Sequence, residues 1–431
     1  MQLEIRFSIN APSILPIRYR TLPADLLAAY TPLRHSGNEV LLSIARTLFL
    51  WLKNWDLHCH RKAGLVIEHR DGTTTPLIDA SVHIFFGSTP ELRRVMREPF
   101  KSRGFPDYEM DWYGAPGGEY VEGARGPDGQ YPGSDPEVVA QHLFADRGVD
   151  VAVLHPMGRG IMPDRHLGTA ILAAHNEMMV SRWLEHPELG ERFRGTIRVN
   201  PDDISGALRE IDKYKNHPRV VQIGIPLQSR ELYGKPQFWE LWEAAVDAGL
   251  PVATHIEVGE GIAFPPTPSG NTRTFEQYLG FMSMNYVYHL LNMIAEGVFE
   301  RMPDLKFVWA DGAADMVTPF IWRMDCFGRP HLEQTPWAPK MPSDYLPGHV
   351  YFIHNSIDGP GDADFADQWL SFTGKDDMLM FGSSYPHWHC GDARELPAAW
   401  TAEQREKVCW RNAAGLYGID IPAGLTPQAA H

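Results

Sequence analysis

The chain has 431 residues, 44% of them hydrophobic and 22% charged. That length suits one large α/β barrel or two ordinary domains, and that balance excludes a disordered or fibrous chain. Acidic residues outnumber basic ones by 54 to 39, giving a net charge of −15. This argues against nucleic acid or a membrane as a partner, because nucleic acids and anionic bilayers demand a positive face.

The first residues, MQLEIRFSINAPSILPIRYR, place charges inside any would-be apolar stretch and offer no small-residue cleavage site, unlike a secretory signal. The run Val40 to Leu52 is the most apolar, but it includes Arg46 and falls short of the roughly 20 residues that cross a bilayer. It reads as a buried or interface helix. Residues 1–63 are expected to form an N-terminal extension carrying an amphipathic helix from about Asn38 to Trp55, residues 64–420 a barrel, and 421–431 a tail. Asp56-Leu57-His58-Cys59-His60 has a metal-strand spacing, yet no alternating apolar strand leads into it, and it reads as a solvated turn. Four cysteines (Cys59, Cys326, Cys390, Cys409) show neither close pairing nor metal-type spacing, so free thiols in a reducing cytoplasm are expected.

Leu65-Val66-Ile67 and Leu77-Ile78 flank Asp71-Gly72, a tight-turn signal. From about Phe105 to Asp135 the chain is rich in Gly, Pro and Asp and lacks periodicity, yet it holds Trp112, Tyr113, Tyr120 and Tyr131. It reads as an ordered loop covering either a pocket or a neighbouring subunit. Thereafter short apolar runs alternate with helical-period segments. The strand candidates are Ile78–Val82, Val149–Leu154, Gly195–Val199, Val220–Ile225, Pro251–His255, Leu305–Ala310, Val350–Ile353 and Met378–Phe381. The helix candidates are Thr169–Leu184, Ile204–Lys215, Gln237–Ala248, Asn285–Glu296, Ala314–Cys326 and Glu403–Leu416. Eight such units predict a (β/α)8 barrel of the α/β class, with its site at the C-terminal strand ends. An open doubly wound sheet is the rival, but it would want a Gly-rich phosphate turn after the first strand, where Ile84-Phe85-Phe86-Gly87 stands instead.

Histidines and carboxylates recur at these ends: His83, His155, His255 with Glu257, Asp311, His354, and His387 with His389. Neutral imidazole and carboxylate suit Zn, Fe or Mn. LIDASVH, AHNEMMVSRWL, PVATHIEV, GVFERMPDLKFVWADGAADMVTPFIWRMD, MFGSSYPHWH and RNAAGLYGI, spread from about Gly64 to Ile419, resemble the amidohydrolase-related metal-dependent barrels of the amidohydrolase 2 branch. The resemblance implies a TIM-like barrel with metal at the strand tips, ligated at positions matching His83, His255 and Asp311. His387, His389 or His175 are candidates to complete the coordination sphere. Two departures stand out: Ser81 occupies the first-strand ligand position, and Ser384 the position of an eighth-strand aspartate. A hydroxyl is a poor ligand beside a carboxylate, and a serine cannot take the proton of an activated water at neutral pH. Glu177 reads as either a site residue or a surface charge.

Three functions fit this pattern. The sequence looks most like a ligand-eroded subunit of a dinuclear-metal monooxygenase of the 2-aminoisobutyric acid hydroxylase type. That implies one divalent metal at most in this chain, a paralogous barrel subunit carrying a dinuclear Fe or Mn/Fe site, and an external electron donor such as a ferredoxin. The alternatives are a metal-dependent hydrolase or decarboxylase of a small carboxylic acid, and a non-catalytic barrel that binds a ligand or partner.

Overall fold

The computed structural model describes residues 75–103, 120–227, 229–256, 274–312, 314–328, 333–355, 375–397 and 400–420. The N-terminal extension, His58 to His60, the Asp71-Gly72 turn, Trp112 and Tyr113, Glu257 and the tail lie outside the described residues.

Eight strands follow one another around a ring: β1 (Ile78–Ile84), β2 (Val151–Pro156), β3 (Phe193–Arg198), β4 (Val220–Pro226), β5 (Val252–His255), β6 (Phe307–Trp309), β7 (Val350–His354) and β8 (Leu379–Phe381). Each pairs in parallel with the next. Past the end of β8, Ser384 N–H donates to Ser81 O at 3.0 Å and His83 N–H donates to Tyr385 O at 2.7 Å. These bonds join the eighth strand's extension to the first, so the open-sheet alternative is set aside. Parallel strands are buried on both faces, which is why they read as short Val/Ile-rich runs.

Alternate residues of the strands feed two separate cores. Ile78, Ala80, Val151, Val153, Ala253, Val308, Ile353 and Met380 fill the barrel interior. Val82, Ile84, Leu154, Ile223, Val252, Phe307, Trp309 and Phe352 face the surrounding helices. Those helices are α1 (Arg165–Met178), α2 (Ile204–Tyr214), α3 (Trp239–Ala248), α4 (Phe275–Ala295) and α5 (Val317–Gly328). The Asp164 side chain accepts from Leu167 N–H to start α1, and Gly249, at φ 65°, ends α3. The sequence places the start of α4 at Asn285, but the helix begins ten residues earlier. A Thr274–Gln277 capping box there satisfies the first turn.

A last helix, α6 (Asn412–Tyr417), closes the barrel floor. Ala413, Leu416 and Tyr417 pack on the interior residues, and Tyr417 Oη donates to Gln222 Oε1 at 2.9 Å. The C-terminal strand ends are therefore left for chemistry. Among the described residues no helix is long and apolar enough to cross a membrane. Among the described residues Cys326, Cys390 and Cys409 take part in no disulfide.

Candidate metal centre

Three of the predicted residues meet at one point. His83 from β1, His255 from the end of β5 and Asp311 just beyond β6 each bring a ligand atom within 4.8 Å of the others. Asp311 Oδ2 lies 2.9 Å from His255 Nε2 and 3.2 Å from His83 Nε2. Ser81 Oγ donates to the same oxygen at 2.9 Å. The histidines are almost wholly buried. Burial and the neighbouring His255 push the His83 pKa down to about 4. Burial works against the Asp311 carboxylate, but its contacts with His255 and His83 outweigh it and hold its pKa well below the usual range.

The tautomers test whether these residues fit a cation. His255 Nδ1 lies 2.5 Å from the Ile256 carbonyl oxygen, so that nitrogen carries the proton and donates it. In the neutral ring, Nε2 then presents a lone pair toward the Asp311 carboxylate at 2.9 Å. Two lone pairs at that separation need positive charge between or beside them. Backbone fixing of the far nitrogen is also how metal-ligating histidines are oriented. Asp311 Oδ1, buried and without a hydrogen-bond partner among the described residues, adds a further donor. The set of two imidazoles and one carboxylate fits a divalent first-row metal.

The remaining candidates divide. His387 belongs to the neighbourhood: its ring centroid is 5.0 Å from that of His83, and it stacks at 5.6 Å on Tyr120 and at 5.5 Å on His389. Burial and the adjacent His83 hold the His387 pKa well below its ordinary value. The structure does not bring His175 to this point. Its Nδ1 bonds to Ile171 O at 2.9 Å within α1 and its ring meets Phe86 edge-on, so its role is packing and a helix-internal bond. Glu177 is a surface charge, paired with Lys213 Nζ at 2.7 Å and with Tyr214 Oη at 2.8 Å.

The two serines that depart from the resembling pattern are both engaged. Ser81 orients Asp311, and Ser384 Oγ accepts from Asn355 Nδ2 at 2.8 Å. Asp311 (φ 63°) and Ser384 (φ 56°) are the only non-glycine residues with positive φ among the described residues. Such conformations cost on the order of 1–3 kcal/mol and gather where a site needs them. Sequence reasoning missed the backbone devices around them. The described part of the long loop docks beside the mouth, with Val121 N–H donating to Pro386 O at 2.8 Å and Phe85 N–H to Gly133 O at 3.2 Å. Gly133 sits at φ 70°, and a Cβ there would lie 2.6 Å from His83 O, so only glycine permits this approach. Nothing in the loop's composition singles out that contact.

A barrel with metal-type donors gathered at its strand tips defines a class, and the comparisons identify it. The amidohydrolase family model (amidohydrolase 2) matches residues 55–419, and the chain belongs to that family. No curated protein matches the sequence. An amidohydrolase from Mycobacterium avium subsp. paratuberculosis K-10 is 17% identical with a TM-score of 0.61, covering 80% of this chain and 99% of its own. The 5-carboxyvanillate decarboxylase LigW from Sphingomonas paucimobilis is 22% identical with a TM-score of 0.56, covering 80% and 100%. A dihydroxybenzoic acid decarboxylase from Polaromonas sp. JS666, with bound manganese and the inhibitor 2-nitroresorcinol, is 17% identical with a TM-score of 0.57, covering 80% and 97%. At these identities the likeness is one of fold.

Proposed function

We propose that the chain is a metal-dependent decarboxylase of a small carboxylic acid, with His83, His255 and Asp311 holding one divalent cation. The observation that carries this reading is the convergence of two imidazole nitrogens on a single carboxylate oxygen, with one imidazole fixed so that its lone pair faces that oxygen. Two of the similar structures described above act on aromatic carboxylic acids, which supports decarboxylation over the monooxygenase expectation. Ser384 supports it over hydrolysis. Its hydroxyl is held by Asn355 and cannot serve as the base that a hydrolytic water requires.

A bound cation would polarise the substrate's oxygens and stabilise the charge that develops as the carboxylate departs. The chain's own residues do the rest. Ser81 fixes Asp311 through its hydroxyl, which donates to Oδ2. The stacked imidazoles of His387 and His389 border the same space and carry exchangeable protons for the carbon that loses carbon dioxide. In that step the carbon–carbon bond breaks, its electron pair stays on carbon, and a proton takes the place of the released carbon dioxide.

The test uses the full chain. After incubation with Mn2+ or Zn2+ and dialysis, elemental analysis should find about one metal per chain, and His255→Ala and Asp311→Ala should lose it. Carbon dioxide release from one member of a panel of hydroxybenzoic and other small carboxylic acids is expected. Absence of metal, or hydrolysis of esters or lactones without decarboxylation, would overturn the proposal. Reductant-dependent dioxygen consumption would restore the oxygenase reading.

A further inference from the structure

β1 changes face partway along. Asp79 pairs with Ala152 and Val82 with Leu154, so three steps on β1 match two on β2, and one extra residue is inserted. Before the insertion, even-numbered residues (Ile78, Ala80) face the barrel interior; after it, Val82 and Ile84 face the helices. The inward set has become odd-numbered, and His83 stands opposite His155 in the interior row. Without the extra residue, plain alternation from Ile78 and Ala80 would turn Val82 and Ile84 inward and His83 out toward the helices. The whole contribution of β1 to the site depends on this bulge.

A bulge leaves backbone groups outside the ladder, and they need partners. Asp79 supplies one. Its Oδ1 accepts from Ser81 N–H at 3.1 Å and from Ser383 N–H at 2.9 Å. One oxygen thus ties the bulged residue to the chain leaving β8, next to the closing bond from Ser384 N–H to Ser81 O. Asp79 is fully buried, a costly place for a carboxyl group, and it lines a small cavity with Arg147, Val149, Ser383 and Asp392. An apolar side chain would fill that outward-facing position at lower cost unless the acceptor is needed.

We infer that Asp79 is the positioning residue of the metal centre: its carboxyl oxygen holds the β1 bulge that turns His83 into the barrel. This rests on the metal reading proposed above for the role of His83. Because Oδ1 acts as an acceptor, an amide can replace the carboxyl group, which gives the test its form.

Asp79→Asn, Asp79→Ala and His83→Ala are compared as full chains by Co2+ titration, read as dissociation constant and visible absorption spectrum, with circular dichroism to report folding. Asp79→Asn should bind within about threefold of wild type with an unchanged spectrum. Asp79→Ala should weaken binding at least about tenfold and give the His83→Ala spectrum, in line with the 10–100-fold loss that follows removal of a ligand's supporting partner. Should Asp79→Ala not fold, Asp79→Ser, whose hydroxyl is too short to reach both N–H groups, is held to the same criteria. A folded Ala or Ser variant that binds as wild type does overturns the inference. So does failure of both to fold, which would make Asp79 a determinant of the whole barrel, and so does an Asn variant as weak as His83→Ala. Absence of Co2+ binding by wild type would defeat the metal reading alone. The inference then stands or falls on the crystal structure of the Ala variant (the Ser variant if Ala does not fold), in which His83 must no longer stand opposite His155 and beside Asp311.

Discussion

His289 shows how a single buried ring couples stability to pH. Its Nε2 donates to Leu227 O at 2.8 Å, its Nδ1 accepts from Tyr233 N–H at 3.2 Å, and its ring stacks on Tyr233 at 4.2 Å. A second proton would break the Tyr233 bond, and burial pushes the pKa down to about 4. The unfolded chain's imidazole titrates near 6.5, so between these values the unfolded state binds more protons and stability falls as pH drops. The urea midpoint should decline from pH 6.5 toward pH 4, and His289→Phe should flatten part of that slope; an equal slope would show that other groups carry it. Ser384 offers a second test on one residue. Its φ of 56° is a conformation aspartate tolerates better than most residues, and its side chain already accepts a hydrogen bond from Asn355. Ser384→Asp should raise metal retention against a chelator. Unchanged metal content would place the ion elsewhere. Of the six candidate residues, the shared position of His83, His255 and Asp311 at the barrel rim was legible because each lies at the end of a recognisable strand. His175 was misleading because a helix offers no cue to which way its imidazole turns, and it turns back to bond Ile171.

Among the elements, α6 carries a load its six residues do not advertise. Leu416 and Tyr417 plug the interior core from below, and Tyr417 also bonds Gln222, whose amide donates to Thr196 Oγ1 at 2.9 Å. Burying two such side chains is worth about 1.5–3 kcal/mol each, a large share of the roughly 5–15 kcal/mol that stabilises a domain. A chain ended after Arg411 should therefore lose its cooperative thermal transition, as followed by circular dichroism. A preserved midpoint would show the floor to be dispensable. All eight strands were legible as short apolar runs, most of them with Val or Ile, since residues buried on both faces leave that mark. The β1 bulge was not, because one inserted residue between apolar positions changes no composition and only shifts which side each residue faces.

At the scale of the whole molecule, the sequence alone determined the barrel, its family and the rim on which chemistry gathers. Those follow from local composition and from the recurrence of strand and helix around a ring. Tertiary structure decided what that rim holds: Asp311 in contact with Ser81, His83 and His255, a bulge that turns one histidine inward, and a glycine pressed against the His83 carbonyl. Each of these depends on the direction of a side chain or the register of a strand. Those are fixed by neighbours from 50 to 230 residues away in the chain, and no local pattern encodes them.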